Sequence, residues 1–254
     1  MRLLRDILII FRRQVRHSLR VPMTLVLGLL QPILYLMLYG PLFSRVAPQL
    51  NTIPGASGWQ LFVPGILVQL GLFSSSFVGF GIIAELRSGV VERFRVTPVS
   101  RLALLLGRVL RDASLLGLQG VVLLGAATFL GLRAPILGVL IALAMVVVLG
   151  IALASLSYAL GLVTREEFVF APALNMVLVP VLLLSGILLP MSVGPPWLRN
   201  LARFNPLSHV VNGLRDAFMG RYASGSVAAG AAAVLLLAVV SVTIATRLFL
   251  RENA

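Results

Sequence analysis

The stretch ILGVLIALAMVVVLGIALASLSYALGLV, residues 136–163, contains no charged side chain. A helix needs about 20 predominantly apolar residues to cross roughly 30 Å of bilayer hydrocarbon. A helix over 136–163 exceeds that length, so it tilts or projects past the core. Working outward, five further apolar runs fall at about 21–43, 61–84, 113–132, 168–190 and 226–246. The turn Arg133-Ala134-Pro135 separates the third run from the fourth, and Thr164-Arg165-Glu166-Glu167 separates the fourth from the fifth. The pattern predicts an all-α polytopic membrane protein with six transmembrane helices.

Composition excludes the alternatives. Of the 254 residues, 59% are hydrophobic and 11% charged, and the mean hydropathy is +1.03. Soluble domains carry roughly 25% charged residues, and disorder requires low hydrophobicity. There is no cysteine, hence no disulfide framework, thiolate chemistry or cysteine-held metal. The two histidines, His17 and His209, are too few for an all-histidine metal site. No acid pair or serine–histidine pair stands at a catalytic spacing, so the chain is not expected to be an enzyme.

All 21 basic residues are arginine, against 8 acidic residues. In a soluble protein that balance suggests nucleic acid, but these arginines cluster between apolar runs, as topology signals do. A nucleic-acid partner is therefore not expected. Fifteen arginines fall in the amino terminus, in loops 85–112 and 164–167 and in the tail; six fall in the other connections. That asymmetry puts both termini in the cytoplasm of a multi-pass protein of the cell inner or plasma membrane. No signal peptide is visible, because the six arginines of residues 1–20 lack a short apolar core and cleavage site after them. A phosphate-binding loop needs a lysine, and this chain has none. ATP hydrolysis would have to occur on another polypeptide.

Residues 1–20 read as an amphipathic helix on the membrane surface. Leu4, Leu8, Phe11, Val15 and Leu19 fall within an arc of about 80°, beside the six arginines on an arc of about 100°. Such a helix lies with its apolar stripe down and its arginines toward anionic headgroups. The alternative is a basic flank that anchors the first span. Pro22 suits the first turn of the next helix.

Within the spans as read, the polar residues are neutral: Gln31, Gln69, Ser74 to Ser76, Gln119, Ser155, Ser157 and Asn175. Gradient-driven pumps usually keep an ionisable group at membrane depth, so this pattern speaks against one. The neutral groups either bridge helices or line a substrate path, for which Gln31, Gln69, Ser75 and Asn175 are the candidates.

The connector 85–112 is the long basic one. Gly89–Val96 suits a short helix with Glu92, Arg93 and Arg95 beside Val90, Val91 and Phe94. Thr97-Pro98 ends it, since the residue before proline avoids the helical region, and Ser100 can cap the next helix. Composition alone leaves two readings: a docking element for a cytoplasmic protein, or an ordinary connector at the headgroups.

The motif Ser88-Gly-Val-Val-Glu-Arg-Phe-Arg-Val-Thr-Pro-Val-Ser-Arg101 resembles the signature between the second and third spans of the type-two family of ABC transporter permeases. Daunorubicin-resistance and multidrug or lipid exporter permeases belong to that group. A second segment, Asn205-Pro-Leu-Ser-His-Val-Val-Asn-Gly-Leu-Arg215, resembles the family's motif before the last span. The resemblance implies that residues 89–97 are a coupling helix entering a groove on the ATPase, with Glu92, Arg93, Phe94, Thr97 and Pro98 as contacts. Arg95 stands where the family often has an apolar residue. By the same resemblance the amino-terminal helix is a connecting helix whose Arg12, Arg13 and Arg16 face the ATPase.

Residues 191–225 carry a shorter pattern. Asn205 can cap a helix with Pro206 in its first turn, and Leu207, Val210, Val211, Leu214 and Phe218 form its apolar stripe. At about fourteen residues it is too short to cross. Pro195-Pro196 and Trp197–Phe204 suggest a shorter helix before it, and His209 reads as structural. The resemblance implies a re-entrant outer pair over the transport path, with Asn205, Pro206 and Arg215 as its motif residues.

The expectation is one permease domain, 1–254: connecting helix 1–20, spans one to five within 21–190 including the coupling loop 85–112, outer region 191–225 and span six at 226–246. It exports an amphipathic drug, lipid or hydrophobic natural product. Its expected partners are two ATPase subunits, a second permease subunit, identical or homologous, and membrane lipids. No cofactor is expected on this chain, with ATP and Mg on the ATPase. The alternatives are a polysaccharide exporter permease of the same superfamily and a scaffold that moves nothing.

Overall fold

The structure, a computed structural model, describes residues 2–20, 22–50, 57–88, 101–188 and 190–251. Helix α1 (Arg2–Arg20) precedes α2 (Pro22–Leu50), α3 (Gly58–Ser76), α4 (Gly79–Arg87) and α5 (Arg101–Leu130). Then come α6 (Ile136–Thr164), α7 (Glu167–Leu183), a 3-10 turn (Met191–Val193), α8 (Pro196–Ala202), α9 (Pro206–Phe218) and α10 (Gly225–Arg251). The described residues contain no strand.

Five stretches are long and apolar enough to cross a membrane: Val26–Val46, Gly58–Arg87, Leu102–Leu130, Ile136–Thr164 and Gly225–Phe249. The fifth apolar run, read as 168–190, is helical only to Leu183 and forms a shorter apolar helix of 17 residues. At 1.5 Å per residue that is about 25 Å, short of the hydrocarbon thickness. The chain turns there because Gly186 takes a left-handed conformation, φ +73°, which ends helices and costs glycine little.

The second run, read as continuous over 61–84, is broken at Phe77-Val78 into α3 and α4. The cause is Ser157 on α6. Its hydroxyl donates to the Ser76 carbonyl at 2.5 Å and accepts from the Gly79 amide at 2.8 Å. A side chain inserted into the ladder kinks a helix, and here it also satisfies the groups that the break frees. The third run, read from residue 113, begins as a helix at Arg101, so residues 101–112 form the opening turns of α5 rather than part of a loop.

Helix α6 is the hub, in contact with α3, α4, α5, α7, α9 and α10. Helix α3 is the most enclosed: every residue from Leu61 to Leu72 is buried, as expected of a helix apolar on all sides. Ile66, Leu67, Leu116, Val146, Leu149 and Val211 belong to one continuous core. The apolar faces turned outward include Met37 and Leu38 on α2, Met176 on α7 and Leu236 on α10, where only lipid or another apolar surface suits them.

The two ends of the bundle differ. At one end α9 closes over the start of α6: a Cβ on Gly138 would strike the Ala217 carbonyl carbon at 2.8 Å, so glycine permits that approach. At the other end α1 packs on α5, burying Ile7. The packed face of α1 is centred nearer Ile7 and Ile10 than on the predicted stripe, while Leu8 stays exposed and Phe11 and Val15 are half-buried. Docking on α5 takes part of the apolar arc that the surface-helix expectation assigned wholly to lipid.

Candidate functional site

At the α1 end, charged side chains tie four helices together. Arg108 on α5 pairs with Glu85 on α4, and Arg87 on α4 lies 3.8 Å from Glu167 on α7. Asp112 on α5 accepts a 2.5 Å hydrogen bond from the Tyr158 hydroxyl on α6 and lies 3.0 Å from Arg111 Nε. Arg108 and Asp112 are buried. A buried charge is tolerable only when paired and hydrogen-bonded, and each of these two has a partner of opposite charge. The exposed Arg87–Glu167 pair is worth little by comparison.

These ties flank residues 89–100, which include the expected coupling residues Glu92, Arg93, Phe94, Thr97 and Pro98; all five lie outside the described residues. Glu85 and Arg87 precede the segment in the last turns of α4, and Arg108 follows it two turns into α5. On α1, Arg12, Arg13 and Arg16 are exposed at this same end.

The neutral polar residues separate into two groups. Gln31 on α2 and Gln69 on α3 line one hollow of about 240 Å³, together with Gly28, Pro32, Phe73 and Ser74. Ser74 donates to Gln119 Oε1 of α5 at 3.0 Å beside it. Ser75 lies elsewhere, buried against α6 where a Cβ on Gly150 would stand 3.1 Å from its hydroxyl. Asn175 is exposed on α7 and donates to the Ala171 carbonyl of its own helix at 2.9 Å. The structure therefore brings together two of the four expected path residues and sets the other two apart.

A second hollow, of about 420 Å³, opens nearer the α9 end and is lined by Tyr35, Tyr39, Phe43 and Phe62 with Leu42, Val46 and Leu188. Phe43 stacks on Phe62 with ring centroids 4.4 Å apart, a spacing that favours offset aromatic contact.

The α9 end is bolted by side chains onto backbone. The Asn205 side chain accepts from the Leu207 amide at 3.0 Å, capping α9, and donates to the Val181 carbonyl of α7 at 2.7 Å. Pro206 occupies the first turn. Gln60 Nε2 donates to the Arg133 and Phe218 carbonyls at 2.8 and 3.3 Å. Arg215, fully buried, donates from Nε to the Leu61 carbonyl at 3.0 Å and from Nη2 to the Gly186 carbonyl at 2.7 Å. Burial lowers its pKa to about 10, so it stays a cation at neutral pH. His209 Nε2 sits 2.9 Å from the Arg203 carbonyl, a contact that fastens the turn between α8 and α9.

Sequence reading missed the buried charges. The sequence pattern puts Arg108 and Asp112 in a connector and leaves the spans free of ionisable groups, whereas the membrane-length stretch Leu102–Leu130 contains both. Their partners Glu85 and Tyr158 are 23 and 46 residues away, so the pairing itself leaves no local signal. A faint cue was available: an arginine and an aspartate at 108 and 112 share one helix face at i and i+4.

Buried helices of membrane length, hollows walled by apolar and neutral polar groups and a charged cluster at one end describe a multi-pass membrane protein with no reaction centre among its described residues. The match of residues 5–219 to the ABC-2 type transporter family makes the chain a member of that family. It is 29% identical over 205 residues to the daunorubicin resistance ABC transporter permease protein DrrB1 of Streptomyces coeruleorubidus, covering 78% of this chain and 70% of that one. It is 29% identical over 217 residues to the putative transport permease ycf38 of Cyanophora paradoxa, covering 84% and 73%. With the probable doxorubicin resistance permease protein DrrC of Mycobacterium tuberculosis the identity is 26% over 199 residues, covering 78% and 71%. Family membership implies an ABC transporter permease subunit that works with an ABC ATPase.

Proposed function

We propose that the chain is one permease domain of an exporter that moves an amphipathic drug, lipid or hydrophobic natural product out of the cell. Two ATPase subunits drive it, carrying the ATP and Mg, and a second permease subunit, identical or homologous, completes the path. Both termini face the cytoplasm, and α8 and α9 cover the outer end. The observation that carries this reading is the pair of membrane-level hollows walled by aliphatic, aromatic and neutral polar side chains. Such walls suit a ligand that is mostly apolar and offer no fixed charge to an ion. The drug-resistance names of two relatives support the same class.

The ATPase acts through residues 89–97, with Glu92, Arg93 and Phe94 in its groove, Thr97-Pro98 ending the element, and Arg12, Arg13 and Arg16 of α1 beside it. Rigid-body motion of that element reaches α5 through Glu85–Arg108 and α6 through Asp112–Tyr158. Proteoliposomes holding the chain and its ATPase test the reading. ATP-dependent accumulation of daunorubicin is expected in the lumen of vesicles whose ATPase faces outward. Full uphill transport by the chain alone sinks it, as does a complex that hydrolyses ATP while no amphipathic compound alters its rate; the latter outcome favours a scaffold.

A further inference from the structure

Helices α3 and α4 share one apolar run, yet the hydrogen-bond ladder is rerouted where they meet. The Ser157 hydroxyl donates to the Ser76 carbonyl at 2.5 Å and accepts from the Gly79 amide at 2.8 Å. The next two amides reach back only three residues, Phe80 to the Phe77 carbonyl at 3.2 Å and Gly81 to the Val78 carbonyl at 3.0 Å. Such a 3-10 step inside a longer helix often marks a hinge. Straightening the run would exchange these four bonds for four others. Gly79, Phe80 and Gly81 would return to the carbonyls of Ser75, Ser76 and Phe77 in the ordinary ladder. The freed Ser157 hydroxyl would turn to the Leu153 carbonyl of its own helix. Two arrangements that satisfy the same groups make a two-state element.

The surroundings hold one of the two helices still and leave the other free to turn. Helix α3 is enclosed from Leu61 to Leu72, so it cannot tilt without repacking the core. The first turn of α4 rests on the bare backbone of α6. A Cβ on Gly79 would stand 2.5 Å from the Ser157 carbonyl oxygen, and one on Gly161 would stand 2.8 Å from the Gly79 carbonyl oxygen. Contact that close at one point is a fulcrum. Phe77 stands at the break with its ring parallel to those of Phe73 and Phe80, centroids 6.3 and 6.2 Å away, a contact that tolerates sliding. Gly81 faces open space. Beyond the fulcrum α4 ends in Glu85 and Arg87, tied to α5 and α7, and the chain runs on into residues 89–97.

We infer that the α3–α4 junction is a two-position joint, latched bent by Ser157 and turning about Gly79, which lets α4 swing while α3 stays fixed in the core. Ser157 is a positioning residue, acting through the angle of α4. A change of about 20°, the size of a kink caused by an inserted side chain, moves the end of this nine-residue helix, about 13 Å from the fulcrum, by roughly 5 Å. That the ATPase drives the swing rests on the coupling reading above; the joint itself does not.

The test uses the full chain, which has no cysteine of its own, in lipid nanodiscs. Spin labels on Ser88→Cys, at the exposed end of α4, and on Leu34→Cys, exposed on α2 where that helix packs on α3, report the angle of the joint as a distance. Ser157→Ala removes the latch. It should shift the ratio of the two distances at least about tenfold toward the second, the loss of a bridge to buried backbone groups. Gly81→Pro should act the other way. Its ring clashes with the Phe77 carbonyl in the straight form, whereas in the bent form it falls in the first turn of α4, where proline is tolerated. Combined with Ser157→Ala, it should restore the first distance. ATP and the ATPase should move the unaltered chain toward the second distance and leave Gly81→Pro at the first.

A single distance that Ser157→Ala leaves unchanged overturns the joint. So does a broad distribution in Ser157→Ala that Gly81→Pro fails to narrow, the mark of a chain loosened rather than turned. If the variants move the distance as expected while ATP and the ATPase leave the unaltered chain unmoved, the joint stands and the coupling reading through residues 89–97 falls.

Discussion

Tyr158 on α6 donates a 2.5 Å hydrogen bond to Asp112 on α5, and both side chains are buried. The contact holds the hub helix to the helix that follows the proposed coupling segment. Tyr158→Phe removes one donor from a buried carboxylate and leaves Arg111 as its neighbour. The expected loss is about 1–3 kcal/mol of stability, the cost of an unmade bond to a buried charged group. Asp112→Asn keeps an acceptor toward Tyr158 but leaves Arg111 without its carboxylate, so it should cost at least as much. Thermal unfolding in lipid nanodiscs reads both, and an unchanged midpoint for Tyr158→Phe would remove this contact from the account.

Arg215 presents a balance between two large effects. Its two hydrogen bonds to the Leu61 and Gly186 carbonyls are charge-assisted and worth about 1.5–3 kcal/mol each. Replacing it by methionine also relieves the desolvation of a buried cation, a gain of several kcal/mol. The two nearly cancel in global stability, so the expected effect is local: the 184–188 turn comes away from α3. The chain has no cysteine, which permits a clean readout with Ile187→Cys, at a position only 1% exposed. Maleimide labelling should accelerate at least about fivefold in Arg215→Met, the factor for about 1 kcal/mol of local holding energy. Equal labelling rates count against Arg215 as the bolt.

The sidedness expected from arginine placement is testable in the same cysteine-free background. Ser88 at the end of α4 and Phe204 between α8 and α9 are both exposed. A membrane-impermeant maleimide should label Phe204→Cys in intact cells and Ser88→Cys only after permeabilisation. The reverse pattern would invert the expected topology and place the proposed coupling segment outside.

How much of this was legible depended on whether the determinant was local. The run 136–163 announces α6 because a long uncharged stretch has few other fates, and Asn205-Pro206 announces the start of α9 because cap and first-turn proline are neighbours in sequence. The break between α3 and α4 was invisible, since Ser157 reaches Ser76 from 81 residues away. Gln31 and Gln69 stood out as polar residues in apolar runs, yet only the packing of α2 on α3 puts them on one hollow and leaves Ser75 and Asn175 out of it. The charged ties at Arg108 and Asp112 were hidden by the same distance. The assignments at Glu92, Arg93 and Phe94 rest on the resemblance of one motif.

Docking on the ATPase and transmission into the membrane are separable steps, and two substitutions distinguish them. Arg93→Glu reverses a charge in the segment proposed to enter the ATPase groove. If Arg93 anchors that contact, its loss costs upward of 1.4 kcal/mol and weakens ATPase capture at least about tenfold. Arg108→Gln acts inside the bundle, breaking the pair with Glu85 that ties α4 to α5. It should leave ATPase capture unchanged and lower drug-stimulated hydrolysis, because the docked element no longer moves α5 as one body with α4. Co-purification measures capture, and hydrolysis with and without daunorubicin measures transmission. If Arg108→Gln abolishes capture while Arg93→Glu retains it, docking occurs at the Glu85–Arg108 tie rather than at residues 89–97, and the coupling assignment falls.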